Sequence, residues 1–513
     1  MPGFENTASG QSPAPLPLCA GAVRPSQHAV PWRNWAKNQE IFPHNVYRPT
    51  NVDDLVCLVR EVSARGGRIK GVGTGLSFSD ILQTDDALVQ LTDLLGEGSP
   101  GVLLPLEEGL WHDPVPTRPR VRIPAGARIR QLNSALADAG LAFENLGGYD
   151  CQTIIGAIST STHGSGIDLG PLPDAVLSLD LVTTDGDRYR LEPTCGITDP
   201  DKFRKRYGAS MTLRQDDATF YSVVVSMGCM GIITSVVMQV RPAYCLLEHR
   251  RIQCYSALRK ALEGRVFARH RHLEVSINPF PRRDGDYTCV VTTRTVSSPE
   301  IPKIPLPAGR QRAEALLFLS STQQGLLRLM RDQPRFIPFI LEEGLRQLET
   351  PWHGHVDDSY RIFNLGDINT AEVLSGEYFF PIRKGAYLAA LDAILGLVDR
   401  NRRNGIFQNG PISLRFIKGS PACLSMVEGQ EYCSMEIPVF TETAGAVELL
   451  LSYERLTYAY GGRVHWGQVH ELSGAPGWLE RAYPKAQAWK KVYQSFNRRG
   501  VFSNHFTDRM GFS

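Results

Sequence analysis

The chain reads as a two-domain α+β protein: a first domain carrying two loops of glycine, serine and threonine, then a larger mixed domain. Three observations lead there. At 513 residues the chain exceeds one ordinary core, since about 150 residues per domain is the usual scale. Helical and strand-like periodicities alternate along it. The character also changes after Pro242, beyond which apolar strands mix with helical patterns. The expected layout is a flexible tail over 1–30, a first domain over 31–242, a second over 243–495, and a terminal segment over 496–513.

The first clear element is a helix. Thr50 and Asp53 have capping-box spacing, Leu55, Val56, Val59 and Val62 recur at helical intervals, and Gly66-Gly67 supplies a stop. Arg68–Val72 has strand character and runs into the loop Gly73–Asp80, GTGLSFSD. Residues 101–120 are rich in proline and read as an exposed insertion. Val121–Ile123 alternates like a strand, Pro124-Ala125-Gly126 turns it, and Ile129, Leu132 and Leu136 mark a helix that closes near Gly140. A second segment of small residues spans Glu144–Gly166, and β-branched strands are expected at Leu177–Thr184 and Gly231–Arg241. Beyond Pro242, Cys289–Thr293 reads as strand, Ser297–Gly309 as a proline-rich connector, and Ala386–Val398 as helix.

Composition removes several classes of function. Lys and Arg exceed Asp and Glu by only 55 − 53 = +2, so no basic surplus advertises nucleic acid. No apolar run approaches the ~20 residues that cross a bilayer. The ten cysteines form no CxxC pair and none sits with histidine at zinc-ligand spacing, so no metal site is expected. Reduced, packed thiols fit a cytoplasmic protein. The start of the chain lacks the basic and continuously apolar stretches of a secretory signal.

The two small-residue loops carry the chemistry. Consecutive exposed amides form a nest for phosphate oxygens, and Ser77, Ser79, Ser159, Thr160, Ser161, Thr162 and Ser165 add hydroxyl donors. Two such loops in one domain suit a long ligand with a diphosphate. Neither has Walker A or GxGxxG spacing, which argues against an ATPase or a Rossmann dehydrogenase.

Pro49–Asp54, Gly71–Asp80 (GVGTGLSFSD) and Gly156–Gly166 (GAISTSTHGSG) together resemble the FAD domain of the vanillyl-alcohol oxidase superfamily, the PCMH type. Gly462–Gln468 (GRVHWGQ) resembles the His-Trp-Gly/Ala-Lys signature of its sugar-lactone oxidase and alditol oxidase branch. The resemblance implies a PCMH-type FAD-binding domain, a larger substrate (cap) domain, and hydride transfer from a carbon bearing a hydroxyl to flavin N5. O2 is the expected acceptor, giving H2O2. It places Gly71, Gly73, Thr74, Gly75, Leu76, Ser77, Ser79, Gly147, Gly156, Ser159, Thr160, Thr162, His163, Gly164, Ile232, Ile233 and His465 about the cofactor. It also implies that the tail after 496 folds back toward the flavin domain.

Departures from the pattern carry their own expectations. Leu76 stands where many relatives have the histidine that tethers flavin, so FAD is expected to be non-covalent. Cys151 is one residue out of register with tethering cysteines and reads as a small buried thiol. Gly147 stands where a dehydrogenase relative has an oxygen-hindering alanine, and a turn glycine is an equal reading. The family's Glu-x-Arg is Ser413-Leu414-Arg415 here, and the signature lysine is Gln468. Arg415, His465, Gln468 and Ser413 are the candidate catalytic set, with His465 as a flavin hydrogen-bond partner or a base. Losing the glutamate and the lysine together implies a less charged pocket. The substrate is therefore a small molecule, either a sugar lactone or polyol, or another alcohol of a tailoring pathway. A flavin protein without turnover is the third reading. His470 reads as a neighbour of the signature, and His505 lies in the returning tail.

Overall fold

The computed structural model describes residues 25–28, 31–95, 102–113, 117–305, 324–351, 353–364, 373–472 and 477–513. The expected tail lies outside these residues apart from 25–28, where Gln27–His28 pairs with Asn45–Tyr47 as an edge strand. Of the expected connector Ser297–Gly309, only residues 306–309 are likewise outside them.

The first helix runs Val52–Ala64. Its cap is Asn51, whose side-chain oxygen accepts the Asp54 amide at 2.8 Å, so the Thr50–Asp53 box is displaced by one residue. Asn is a better cap than Thr, and its own spacing to Asp54 satisfies the same free amide. Gly66 then takes φ +69°, the left-handed stop expected after such a helix.

Two sheets make the first half. One has the order Gln27–His28, Asn45–Tyr47, Ala87–Gln90, Ile69–Val72, with its last three strands parallel. The other has the order Thr212–Gln215, Arg188–Glu192, Val176–Val182, Ile232–Gln239, Arg120–Pro124. The helix Ile129–Asp138 ends at Gly140, with φ +67°. Residues 102–113 are not an exposed insertion. Trp111 is only 2% exposed, and Glu107 pairs with the buried Arg190 at 2.8 Å. Proline content misled here because a buried ion pair and a buried indole anchor the segment.

The second half is one eight-stranded antiparallel sheet, with Ile412–Ile417 between His272–Ile277 and Tyr432–Phe440, and Val373–Pro381 beyond. Helices Ala386–Arg403 and Ala446–Ala459 pack on its Val373–Pro381 strand. Tyr378 reaches the Leu450 carbonyl at 2.7 Å on the helix side. Its neighbours Glu377 and Phe379 therefore face the other way, by strand alternation. Cys57 is disulfide-bonded, which corrects the expectation that every thiol is reduced; the other eight described cysteines are free.

The C-terminal residues close the molecule onto the first sheet. The Ile69 amide donates to the Val501 carbonyl at 2.7 Å, and Arg509 pairs with Asp80 at 2.6 Å. Asn504, 2% exposed, donates to the carbonyls of Ile81 and Gln83 at 2.9 and 3.0 Å and also caps helix His505–Arg509. Asn504→Ala removes one partner of several buried bonds, and chemical denaturation should show a loss of about 2 kcal/mol. An unchanged midpoint would mean that this clamp contributes nothing.

Candidate active site

Strand Ile69–Val72 ends in a loop that only glycine permits. A Cβ on Gly73 would lie 2.1 Å from Thr153 Oγ1, and Gly75 has φ +70° with the Trp32 ring 2.9 Å from its Cβ position. The first loop is thus pressed against the second. Among the described residues, the amides of Thr74, Gly75, Leu76 and Ser77 donate to no protein acceptor, which leaves a row of free N–H groups.

This row borders a cavity of about 170 Å³ that reaches the inner face of the large sheet. The first loop contributes Gly71, Gly73, Thr74, Gly75, Leu76 and Ser77; the second Gly156, Ser159 and Thr160; the strand that follows, Ile232 and Ile233; and the C-terminal signature, His465 and Gln468.

Other expected cofactor contacts stand off the cavity wall, each for a visible reason. Ser79 donates to the Trp466 carbonyl at 2.6 Å, tying the first loop to the signature segment. His163 Nε2 lies 3.1 Å from Glu377 Oε1. Gly164 has no room for a Cβ beside Asn145, 2.3 Å from its Oδ1. Gly147 packs on the His163 carbonyl, 3.1 Å from the Cβ it lacks, as a close-packing glycine. The Thr162 carbonyl accepts the Leu172 amide at 2.9 Å. The hydroxyls of Ser161 and Ser165 serve Ser425 and Glu274, both at 2.8 Å; Thr160 does line the wall, but its hydroxyl donates to the Gly156 carbonyl at 3.1 Å. Cys151 takes an Arg130 hydrogen bond at 2.6 Å and is likewise off the wall.

The sheet face behind the cavity is a row of paired charges. Arg294 bonds Glu248 at 2.9 Å and Glu274 at 2.6 Å. Arg415 bonds Glu436 at 2.7 Å and lies 3.6 Å from Glu377. Burial works against the Arg415 charge, but Glu436, Glu274 and Glu377 outweigh it and the guanidinium stays ionised. Burial likewise opposes ionisation of Glu274, yet Arg294 and Arg415 hold its carboxyl at about 2. Glu377 is also held below the usual carboxylate range: burial acts upward, and His163, His465 and Arg415 overcome it.

Ser413 and Arg415 share one face of their strand. The cross-strand partner of Ser413 is Glu436, which lines the cavity. The carboxylate missing at 413 is therefore supplied one strand over, and the expectation of a less charged pocket fails at this point. Ser413 and Arg415 sit behind Glu436 rather than on the wall.

Trp466 is fully buried, and its indole N–H bonds the Leu424 carbonyl at 2.7 Å, which fixes the residues on either side. His465 Nδ1 accepts the Gly467 amide at 3.0 Å, so its ring proton sits on Nε2. Burial lowers its pKa to about 4, against the pull of Glu377. With one nitrogen occupied and the other protonated, neutral His465 offers a donor and no free lone pair. Of its two expected roles, this geometry favours the hydrogen-bond donor. His470 holds the Trp466 carbonyl at 3.3 Å, and His505 is exposed.

Polar wall residues that were not among the expected site residues include Lys70, Tyr149, Gln152 and Glu436. The readable signal for two of them was a charge inside an apolar strand, Lys70 in IKGV and Glu436 in YCSMEIPVF. The Oε1 atoms of Gln152 and Gln468 are buried without a hydrogen-bond partner. Free amides at one end and unpaired acceptors on the wall fit FAD, which brings phosphate oxygens and a ring N–H.

Such an arrangement defines a two-domain flavoprotein oxidoreductase. Residues 43–192 match the FAD binding domain family, and residues 236–510 match D-arabinono-1,4-lactone oxidase. The chain belongs to the D-arabinono-1,4-lactone oxidase family, and its cofactor is FAD. It is 26% identical to an L-gulono-1,4-lactone dehydrogenase of Mycobacterium tuberculosis, over 93% of this chain and 98% of the relative. It is 24% identical to the L-gulonolactone oxidase of Bos taurus (94% and 98%) and 25% to an alditol oxidase of a Streptomyces species (92% and 97%). A solvent-stable cholesterol oxidase shares the fold, with TM-score 0.70 at 14% identity, covering 94% of this chain and 97% of that one.

Because His465 titrates near 4 rather than 6.5, it is already neutral throughout the neutral range. The pH profile of flavin reduction, measured by stopped flow, should show no inflection near 6.5 that His465→Gln removes. An inflection there, lost in that variant, would restore the base role.

Proposed function

We propose that the protein oxidises a CH–OH group of a polyhydroxylated small molecule of the aldonolactone or polyol class, with O2 as acceptor and FAD held non-covalently. The observation that carries the substrate reading is Glu436, a cavity-wall carboxylate fixed by Arg415 at 2.7 Å. Bound FAD supplies the hydride acceptor and passes the electrons on to O2, giving H2O2. Glu436 accepts a hydrogen bond from a substrate hydroxyl, and Arg415 holds the carboxylate in place. The Nε2–H of His465 donates toward negative charge that develops at the reaction centre. Gln468 Oε1, unpaired in the buried wall, accepts from a further N–H or O–H. The names of the relatives support lactones and alditols as the substrate class.

An apolar tailoring substrate loses its main ground once Glu436 faces the cavity, because a ligand that brings no donor would displace water from this carboxylate without replacing its hydrogen bond. Leu76 on the wall offers no nucleophile, and Cys151 is held by Arg130, so nothing at either position reaches for the flavin.

Glu436→Gln keeps the shape and removes the charge. It should lower kcat/KM on the best sugar lactone or polyol by roughly tenfold to hundredfold while the protein stays yellow. Wild-type turnover of bulky apolar alcohols alone, with H2O2 release unaffected by the variant, would overturn the substrate reading. Acid precipitation should release yellow FAD to the supernatant. Colour retained in the pellet would refute non-covalent attachment.

A further inference from the structure

Lys70 is a buried cation for which the reaction has no use. It is 1% exposed, on the strand that leads into the Gly73–Ser77 loop. Its ammonium crosses to the opposite wall, donating to the Met227 carbonyl at 2.8 Å and approaching that of Gly228 at 3.4 Å. Met227 and Gly228 both line the cofactor cavity, as does Lys70. Met227 adopts φ +52°, unusual for a side chain of its size, and its amide bonds the Ser159 carbonyl at 3.1 Å in the second loop. The ammonium thus bridges the two walls between which the two loops face each other.

Carbonyl dipoles do not neutralise an ammonium, and no carboxylate in contact does so. The charged or titratable groups that act on it are Cys229 and Asp80. Cys229 donates its thiol hydrogen to the Ser226 carbonyl at 2.8 Å, and burial raises the thiol to about 12, so it remains uncharged. Asp80 is taken by Arg509 at 2.6 Å. Among the described residues lining the cavity, Lys70 is the one cation, since His465 is neutral, and Glu436 belongs to the large-sheet end. Burying an unpaired charge is costly unless an opposite charge arrives.

We propose that the Lys70 ammonium is the counter-charge of the FAD diphosphate, binding by charge what the Gly73–Ser77 amides bind by geometry. This goes beyond the substrate reading and does not depend on it. Burial lowers the Lys70 pKa from 10.5 to about 8, with Cys229 and Asp80 opposing. A diphosphate beside it raises that value again. The sign follows: the contribution of Lys70 to FAD binding is complete below about 8 and is lost as pH rises through the higher value of the loaded protein.

Phosphorus-31 NMR of the holoprotein, titrated from about pH 6.5 to about pH 10.5, reads this directly and needs no turnover. The diphosphate resonances of the wild type should shift with an inflection above 8. Lys70→Arg, which stays charged across this range, should keep FAD and lose the inflection. Lys70→Met should bind FAD roughly tenfold to hundredfold more weakly. An inflection unchanged in Lys70→Arg, or wild-type resonances flat over the whole range, would overturn the proposal. So would a Lys70→Met protein that folds and holds FAD as tightly as the wild type. If the methionine variant fails to fold, the arginine variant decides alone.

Discussion

Charge pairing across the inner face of the eight-stranded sheet is the constraint on which the site depends. From Glu248 through Arg294, Glu274, Arg415, Glu436 and Glu377 to His163, each charge is balanced by a neighbour of opposite sign or by a titratable imidazole. A buried row of this kind is tolerable only when no member lacks its partner. It fixes rotamers that would otherwise be long and mobile, and it leaves Glu436 at the cavity with its geometry set from behind. The His163–Glu377 pair extends the row into the second small-residue loop, so the sheet that shapes the substrate end also positions the loop at the cofactor end.

The two ends of the cavity differ in how they treat charge. At the substrate end a carboxylate is held ready by an arginine already beside it. At the cofactor end a cation is buried with only carbonyls in contact. The first arrangement suits neutral hydroxyls, which need an acceptor and bring no charge. The second suits an anion that brings its own. Between them the signature Trp466 acts as an anchor: its ring and carbonyl are both engaged, so the flanking His465 and Gln468 are presented rigidly.

Much of the fold was legible because local rules decide it. The first helix, its glycine stop, the following strand and the first loop were each readable from periodicity and from residues that tolerate a left-handed backbone. The misreadings share one cause. The cap moved from Thr50 to Asn51 because neighbouring polar residues compete for the same amide. Residues 102–113 looked exposed because the partners of Glu107 and the burial of Trp111 lie far along the chain. Several loop hydroxyls read as phosphate donors turned out to serve carbonyls and side chains of other segments.

By itself the sequence determined the kind of cofactor site, since two glycine-rich loops and a tryptophan-anchored signature are chemistry written in contiguous residues. Only the tertiary structure decided the polarity of the pocket. Ser413 and Glu436 are 23 positions apart in sequence (436 − 413) yet directly opposite across two strands, and strand register is set by long-range pairing. The same holds for Lys70, whose ammonium finds its partners 157 and 158 residues away. Local pattern names the residues that a loop requires, whereas the electrostatic partner of a buried charge is chosen by whichever strand the fold brings beside it.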